Sequence, residues 1–558
     1  MTERRAVVSE AIAVFGGFFV SAIAFTWPLA LHLQTRARDL VDALYTSWSL
    51  DWVQYAVEHG KNPYNANIFL PEKGVLAYSD TFFGVAIPTL PLRWLGFTPL
   101  GVLNASHIIG LTTMGAGAYL FARLVTGSRL AGVVAGATLA FGPFGAVTTA
   151  NLSLSASAGV AFAAAAAWWL ADRARDGDSV RGPAVALAAI LIFQLTVSFY
   201  PGTYAIVAAG IVLVCRFGSL GRRGVIAALS ALAVTALCGL ALAIPNLQLA
   251  SREPGYRRPL SEVGPQGANF FATHPDVVVW GDLLGFEPGE KQNVTFPGVT
   301  ILVLGAIGCV YGLRSVGKRR RAANVGLVLT AVGTVLAIGT ASTGVRQYAP
   351  YRLLYELGPP FNALRSTGRA WLIALVGLGL LVGLGAIAVA GWLRSRVSAR
   401  SASVVVGAVA VVLLIAEGFV GWGEYPTVRP KPVDVELAAR PEKGAVVYLP
   451  VNEGGNTIDL TYFEQPGNIL GATEHHRGTL NGLSGFAPPS YFRHSRRLLS
   501  LPDADALQLL RRLHVRFVVV HPTVTDGPWS DLLNPDRAEP LKFLGKFGDD
   551  LLYEVPRI

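Results

Sequence analysis

The chain's 558 residues hold 46 Lys and Arg against 36 Asp and Glu, a net charge of +10, yet only 15% of them are charged, where soluble domains average about 25%. With 52% hydrophobic residues, this excludes an array of soluble domains and excludes disorder; a membrane protein fits, because long apolar runs dilute the charges and confine them to the connections. Nucleic-acid binding is excluded as well, since no basic, aromatic-interleaved stretch stands outside the loops between apolar runs.

A bilayer core of about 30 Å needs about 20 helical residues. Windows of that kind fall at 8–31, 101–122, 130–147, 152–171, 183–199, 202–216, 225–246, 298–314, 324–341, 368–392 and 402–423, which predicts eleven spans in an α-helical polytopic protein. The first is read as a retained span, too long for a signal-peptide core. Cys215, Cys238 and Cys309 all lie in apolar runs, so no disulfide framework is predicted. Basic residues occupy every second connection: Arg4 and Arg5, Arg123 and Arg129, Arg173 to Arg181, Arg216 to Arg223, Arg314 to Arg321, and Arg394 to Arg400. By the positive-inside rule these mark the cytoplasmic side, with the N-terminus cytoplasmic and the C-terminus outside. The apolar stretch Thr81 to Phe97 carries Pro88 and Pro91. Counting it as a span would expel the Arg-rich loops, so it is placed as a re-entrant or interface-lying helix on the outer side.

The outer side then holds residues 32–100, 247–297, 342–367 and the tail, giving a membrane domain over 1–423 and an extracytoplasmic α/β domain over 424–558. Strand-like runs at Ala445 to Val451, Val515 to His521 and Leu551 to Val555, with a helical pattern from Asp503 to Leu513, support the second. In the first outer loop, Trp48, Trp52 and Tyr55 recur at helical spacing, an aromatic stripe expected of a helix lying among lipid headgroups. Asp42 sits near the beginning of that helix and Tyr78-Ser79-Asp80 leads into the re-entrant stretch, so two carboxylates bracket the loop.

This layout resembles the C-type (GT-C) membrane glycosyltransferase superfamily: a first span, an outer loop with an early acid (Asp42), juxtamembrane helices joined by a Pro- and aromatic-rich turn (Asn62-Pro63-Tyr64), Asp80, and the span from 101. The chain is similar to a group of bacterial members in Ile68 to Pro71 with Leu76 to Asp80, in Phe361 to Arg369, and in Asn481 to Phe486 with Tyr491. It departs from the Asp-Glu pair of many members, since Ala43 follows Asp42.

The resemblance implies transfer of a sugar from a polyprenyl-phosphate carrier to a glycan, lipid or protein acceptor outside the cell membrane. An acceptor hydroxyl needs a positioned carboxylate to take its proton; Asp42 is assigned that role, with Asp80 second. The leaving phosphate needs fixed cations, supplied by Arg, Lys or a divalent metal ion. Arg365 and Arg369, four residues apart where the 368–392 span begins, are the phosphate candidates. His107, ionisable within a span, and Tyr200 and Tyr204, at an outer turn, are further substrate-binding candidates. Each has a structural alternative: helix capping for Asp42 and Asp80, lipid anchoring for the arginines, an interhelical hydrogen bond for His107 and turn chemistry for the tyrosines. His274-Pro275-Asp276 is a weak metal spacing, and His475-His476-Arg477 reads as solvated loop. A lipid or glycan transporter, with Glu417 and His107 as its intramembrane polar residues, and a noncatalytic envelope assembly protein are the alternatives to the enzyme.

Overall fold

Each of the eleven apolar windows lies on a helix in the computed structural model, which describes residues 2–149, 151–252, 260, 269–285, 294–358, 361–362, 366–421, 423, 425–451, 460–524 and 527–556. Among these residues six helices are long and apolar enough to cross a membrane: Arg5–Phe25, Pro99–Thr126, Leu152–Arg175, Phe217–Arg252, Thr367–Leu393 and Ala399–Gly418. Shorter apolar helices at Arg129–Phe141, Arg181–Val197, Phe199–Cys215 and Val299–Arg314, and the helix Lys318–Ala337, fall on the other windows. The stretch 81–97 is no span. It forms two short helices, Phe83–Ala86 and Leu90–Trp94, interrupted beside Pro88, whose ring and missing N–H disfavour a continuous helix.

The chain divides into two compact units. The first comprises Met1–Leu31, Ala105–Ile244 and Gly255–Glu424. Its most buried span is Thr367–Leu393, with 83% of its apolar window covered by protein. Small residues let its neighbours approach: a side chain at Gly308 would strike the Leu381 carbonyl, and one at Gly385 the Leu304 carbonyl. Ser128, Ser198 and Ser398 cap the helices that follow them. By contrast the windows of Arg5–Phe25 and Phe217–Arg252 are only 11% and 17% covered. Side chains such as Val7, Ile12, Leu237 and Leu240 are exposed on them, a surface that requires an apolar solvent. Glu417, the buried acid of the Ala399–Gly418 helix, accepts from the Thr300 N–H at 3.0 Å and its hydroxyl at 2.8 Å. It is engaged in capping the Val299–Arg314 helix.

The second unit comprises His32–Asn104, Pro245–Pro254 and Tyr425–Ile558, so the first outer loop and the tail fold together. The tail holds a four-stranded sheet in the order β1 (Ala445–Leu449), β2 (Val515–Val520), β4 (Asp550–Glu554), β3 (Lys542–Phe547). The β1–β2 pair is parallel and the other two are antiparallel. Side chains alternate between two faces: Val447, Leu449, Val518 and Val520 join Leu507, Leu510 and Trp529 on one, and Val446, Tyr448, Phe517 and Val519 join Val433 and Leu437 on the other.

His475-His476-Arg477 is packed inside this unit, which corrects its reading as solvated loop. Arg477 donates to the carbonyls of Leu437, Arg440 and Glu442. His475 Nδ1 accepts from the Arg477 N–H at 3.0 Å. Its Nε2 lies 2.9 Å from the Tyr448 hydroxyl, which donates to Asp434 Oδ1 at 2.7 Å. One proton assignment satisfies the chain: neutral His475 with hydrogen on Nε2, donating to Tyr448. Burial holds the His475 imidazole down to about 3, reinforced by the positive charges of Arg477 and His476. Burial likewise pushes the Asp434 carboxyl up to about 7, against the Tyr448 hydrogen bond and Lys431.

Candidate functional site in the first outer loop

The helix Asp42–Glu58 is capped by Asp39, whose Oδ1 accepts from the N–H groups of Val41, Asp42 and Ala43 at 2.8, 2.6 and 3.3 Å. The leading N–H groups are thus held by Asp39, while Asp42 keeps the first-turn position that its structural alternative requires. Asp42 occupies the first turn, half-buried. Tyr45 follows three residues later, on the same face. Its hydroxyl lies 3.3 Å from Ser484 Oγ. Burial pushes the Tyr45 phenol up, opposed by hydrogen bonds from Ser484 and Ser79; the charges of Asp80 and Asp42 push it further up. Both carboxylates thus favour the protonated phenol. Asp80 does not occupy the capping position of the next helix, which is Phe82, without a side-chain cap.

The aromatic stripe faces protein rather than headgroups. Trp48 is 1% and Trp52 5% exposed; Trp48 Nε1 donates to Asn67 Oδ1 at 2.9 Å and Trp52 Nε1 to the Pro63 carbonyl at 2.8 Å. Tyr55 stacks on His476, ring centroids 3.9 Å apart at 12°. Asp51, 2% exposed, meets Arg93 of the short Leu90–Trp94 helix at 2.7 Å and His476 Nε2 at 2.8 Å.

Two of the resembling stretches meet here. Phe69 and Leu70 donate to the carbonyls of Asn481 and Thr479, each at 3.0 Å, and the Thr479 N–H returns to the Asn67 carbonyl at 2.7 Å. Asn481 is fully buried, bonding both backbone groups of Tyr448 and the Gln465 side chain. Glycine is required at 482, where a Cβ would lie 2.5 Å from the ring of Phe69. That ring is buried, with its own backbone at a φ of 56°, and packs edge-on to Tyr491, so it has no room to retreat. We expect Gly482→Ala to destabilise this unit by about 1–3 kcal/mol, read as a lowered midpoint in thermal unfolding of the detergent-solubilised chain.

The other candidates lie in the first unit. Arg369, 9% exposed, holds its guanidinium 5.1 Å from the centre of the Tyr200 ring. Tyr204, one turn along the same helix, is 3% exposed, and its hydroxyl has no partner among the described residues. Arg365 lies outside the described residues. His107 lies 2.8 Å from Ser155 Oγ, the interhelical hydrogen bond that was its structural alternative. His274 accepts from the Asp276 N–H at 3.2 Å, and among the described residues no group of three or more His, Cys, Asp or Glu could hold a metal ion. Tyr45, Ser79 and the Asp51–Arg93–His476 cluster escaped sequence reading. Only Tyr45 carried a signal, its spacing from Asp42.

The bundle of apolar helices, with an acid-bearing loop after the first of them and a small C-terminal sheet, is the fold of the C-type membrane glycosyltransferases. Two solved structures share it, AftD and an archaeal oligosaccharyltransferase. The cryo-EM structure of the mycobacterial arabinofuranosyltransferase AftD aligns at a TM-score of 0.57 and 14% identity over 100% of this chain and 40% of that one. This chain therefore spans two fifths of that protein's length. The oligosaccharyltransferase of Archaeoglobus fulgidus, solved with a tethered acceptor peptide, aligns at 0.52 and 11% identity over 98% of this chain and 74% of that one. ArnT from Cupriavidus metallidurans aligns at 0.48 and 13% identity over 96% and 97%. A scan against protein-family models and a search of the curated proteins return no match.

Proposed function

We propose that this multi-pass membrane protein is a glycosyltransferase that moves one sugar from a polyprenyl-phosphate carrier to an acceptor hydroxyl on the extracytoplasmic side. The observation that carries the reading is Asp42 in the first turn of the Asp42–Glu58 helix, one turn before Tyr45 and its contact with Ser484, in a chain whose fold is shared with solved membrane glycosyltransferases. The acceptor oxygen forms a bond to the anomeric carbon from the face opposite the phosphate, and the carbon–oxygen bond to the phosphate breaks, giving inversion. Asp42 takes the acceptor's proton and the leaving phosphate keeps the bonding pair. Asp80 is the second carboxylate, and protonated Tyr45 supplies a fixed donor beside them. Arg365 and Arg369 are proposed for the phosphate on the chemistry of the guanidinium, planar, always charged and suited to paired phosphate oxygens. Tyr200, which faces the Arg369 guanidinium, and Tyr204 are proposed as its supporting wall. The N-terminus is assigned to the cytoplasm and the 425–558 tail to the outside by the distribution of basic loops.

The experiment is native mass spectrometry of the detergent-purified full chain, followed by transfer assays in proteoliposomes loaded with polyprenyl-phosphate sugars. The expected results are a co-purified polyprenyl phosphate and label in a new glycosidic product. Movement of label across the membrane without covalent change would overturn the reading in favour of transport.

A further inference from the structure

The second unit contains a cavity of about 220 Å³ that the proposed transfer chemistry does not use. Its walls come from residues 34–44, the beginning of the Pro99–Thr126 helix, the strap 427–431, and the helices Pro432–Ala439 and Leu460–His475. Asp434 lies against it, 1% exposed. Its Oδ1 is satisfied by Tyr448, but no donor among the described residues reaches Oδ2. A buried carboxylate oxygen without a donor is costly, and the cost is removed by a ligand that brings one.

The lining sets the ligand's chemistry. Its ionisable side chains are Arg429, Lys431, Asp434 and Glu474, two basic and two acidic, so the lining is built for neither an anion nor a cation alone. Leu40, Leu44 and Leu100 give an apolar wall. Hydroxyls to donate to a carboxylate and accept from an ammonium, together with an apolar face to lie on leucines, describe a sugar ring. The volume is far above the roughly 30 Å³ of one water and below the roughly 300–1,000 Å³ of sites for larger ligands. One ring fits that interval, not a chain of rings. We propose that this cavity is a binding site for a single neutral sugar residue, with Asp434 and Lys431 as its polar contacts and Leu40, Leu44 and Leu100 as its apolar face. The site stands independently of sugar transfer, and a chain inactive in the transfer assay would leave it untouched.

Saturation-transfer difference NMR on the detergent-solubilised full chain tests it, with the methyl glycosides of glucose, mannose, galactose and arabinose as probes at millimolar concentration. At least one should show saturation on its ring protons, falling at least tenfold in Asp434→Asn. It should fall equally in Thr427→Trp, which fills the cavity from its exposed rim without altering the carboxylate; unfolding midpoints confirm that both variants are folded. No saturation of any glycoside by the unsubstituted chain overturns the proposal, as does undiminished saturation in Thr427→Trp. Stabilisation by calcium chloride with none by the glycosides would show a cation site and overturn it equally.

Discussion

Asp42→Asn is expected to lower the rate of sugar transfer by about 10²- to 10⁴-fold, the contribution of a positioned general base, with the protein still folded in the membrane. The division of labour at the beginning of the Asp42–Glu58 helix makes this variant informative. Asp39, not Asp42, holds the first N–H groups of the helix, so removing the charge at 42 spares the cap. Asp39→Ala is the matched control. It should cost about 1 kcal/mol of stability through the lost cap and leave the carboxylate at 42 in place. Initial rates of label transfer in proteoliposomes, with unfolding midpoints measured on the same preparations, separate the two. A full rate in Asp42→Asn would remove it as the base and pass the role to Asp80, the second carboxylate of the loop.

A second large effect is expected in the pH dependence of folding, from two buried groups that act in opposite senses. Asp434 is pushed up to about 7 from an ordinary 3.8, so between those values the folded chain holds a proton that the unfolded chain has lost. Stability on its account falls as pH rises from about 4 to about 7. His475 is held down to about 3 from an ordinary 6.5, so over that interval the unfolded chain holds the extra proton and stability rises with pH. From about pH 4 to 6.5 the two slopes oppose, each near 1.4 kcal/mol per pH unit at its steepest. Relative to the unsubstituted chain, Asp434→Asn should gain about 3 kcal/mol of upward slope across that interval, and His475→Gln should gain a downward slope of similar size. Denaturant unfolding of the solubilised chain at several pH values measures both. Parallel curves for all three proteins would show that neither group titrates with folding.

How much was legible in the sequence depended on which signals are local. Apolar length and periodicity placed all eleven helical windows, and the spacing of arginines kept 81–97 out of the spanning set, where the structure has two short helices. The β1, β2 and β4 runs were visible because each is a block of apolar residues. The β3 strand was not: Lys542 to Phe547 mixes lysines with Gly545, as suits a sheet edge with an irregular register. The aromatic stripe was found, but its surroundings were misassigned. A headgroup layer and a polar protein loop ask the same thing of tryptophan, an apolar ring with one satisfied N–H. Nothing within residues 42–55 announces that Asn67 and Pro63 supply those acceptors. His476 was misjudged for the same reason, since its partner Asp51 lies 425 residues away in the chain. The setting of Tyr45 was half visible, as two acids bracketing a loop; the serine of the tail that completes it was not.

The pairing of Asn67 with Thr479 spans 412 residues, and during synthesis that separation becomes a waiting time. At about 5–20 residues per second, residues 67–70 wait on the order of 20–80 s for the segment they pair with. Until then the ring of Phe69 lacks its Gly482 and Tyr491 neighbours, and the backbone of residues 67–70 lacks its partners. The nascent loop therefore needs shelter, from the membrane surface or a chaperone, through most of translation. A chain stopped between residues 419 and 476 would have all its apolar helices made while residues 67–70 still lacked their backbone partners.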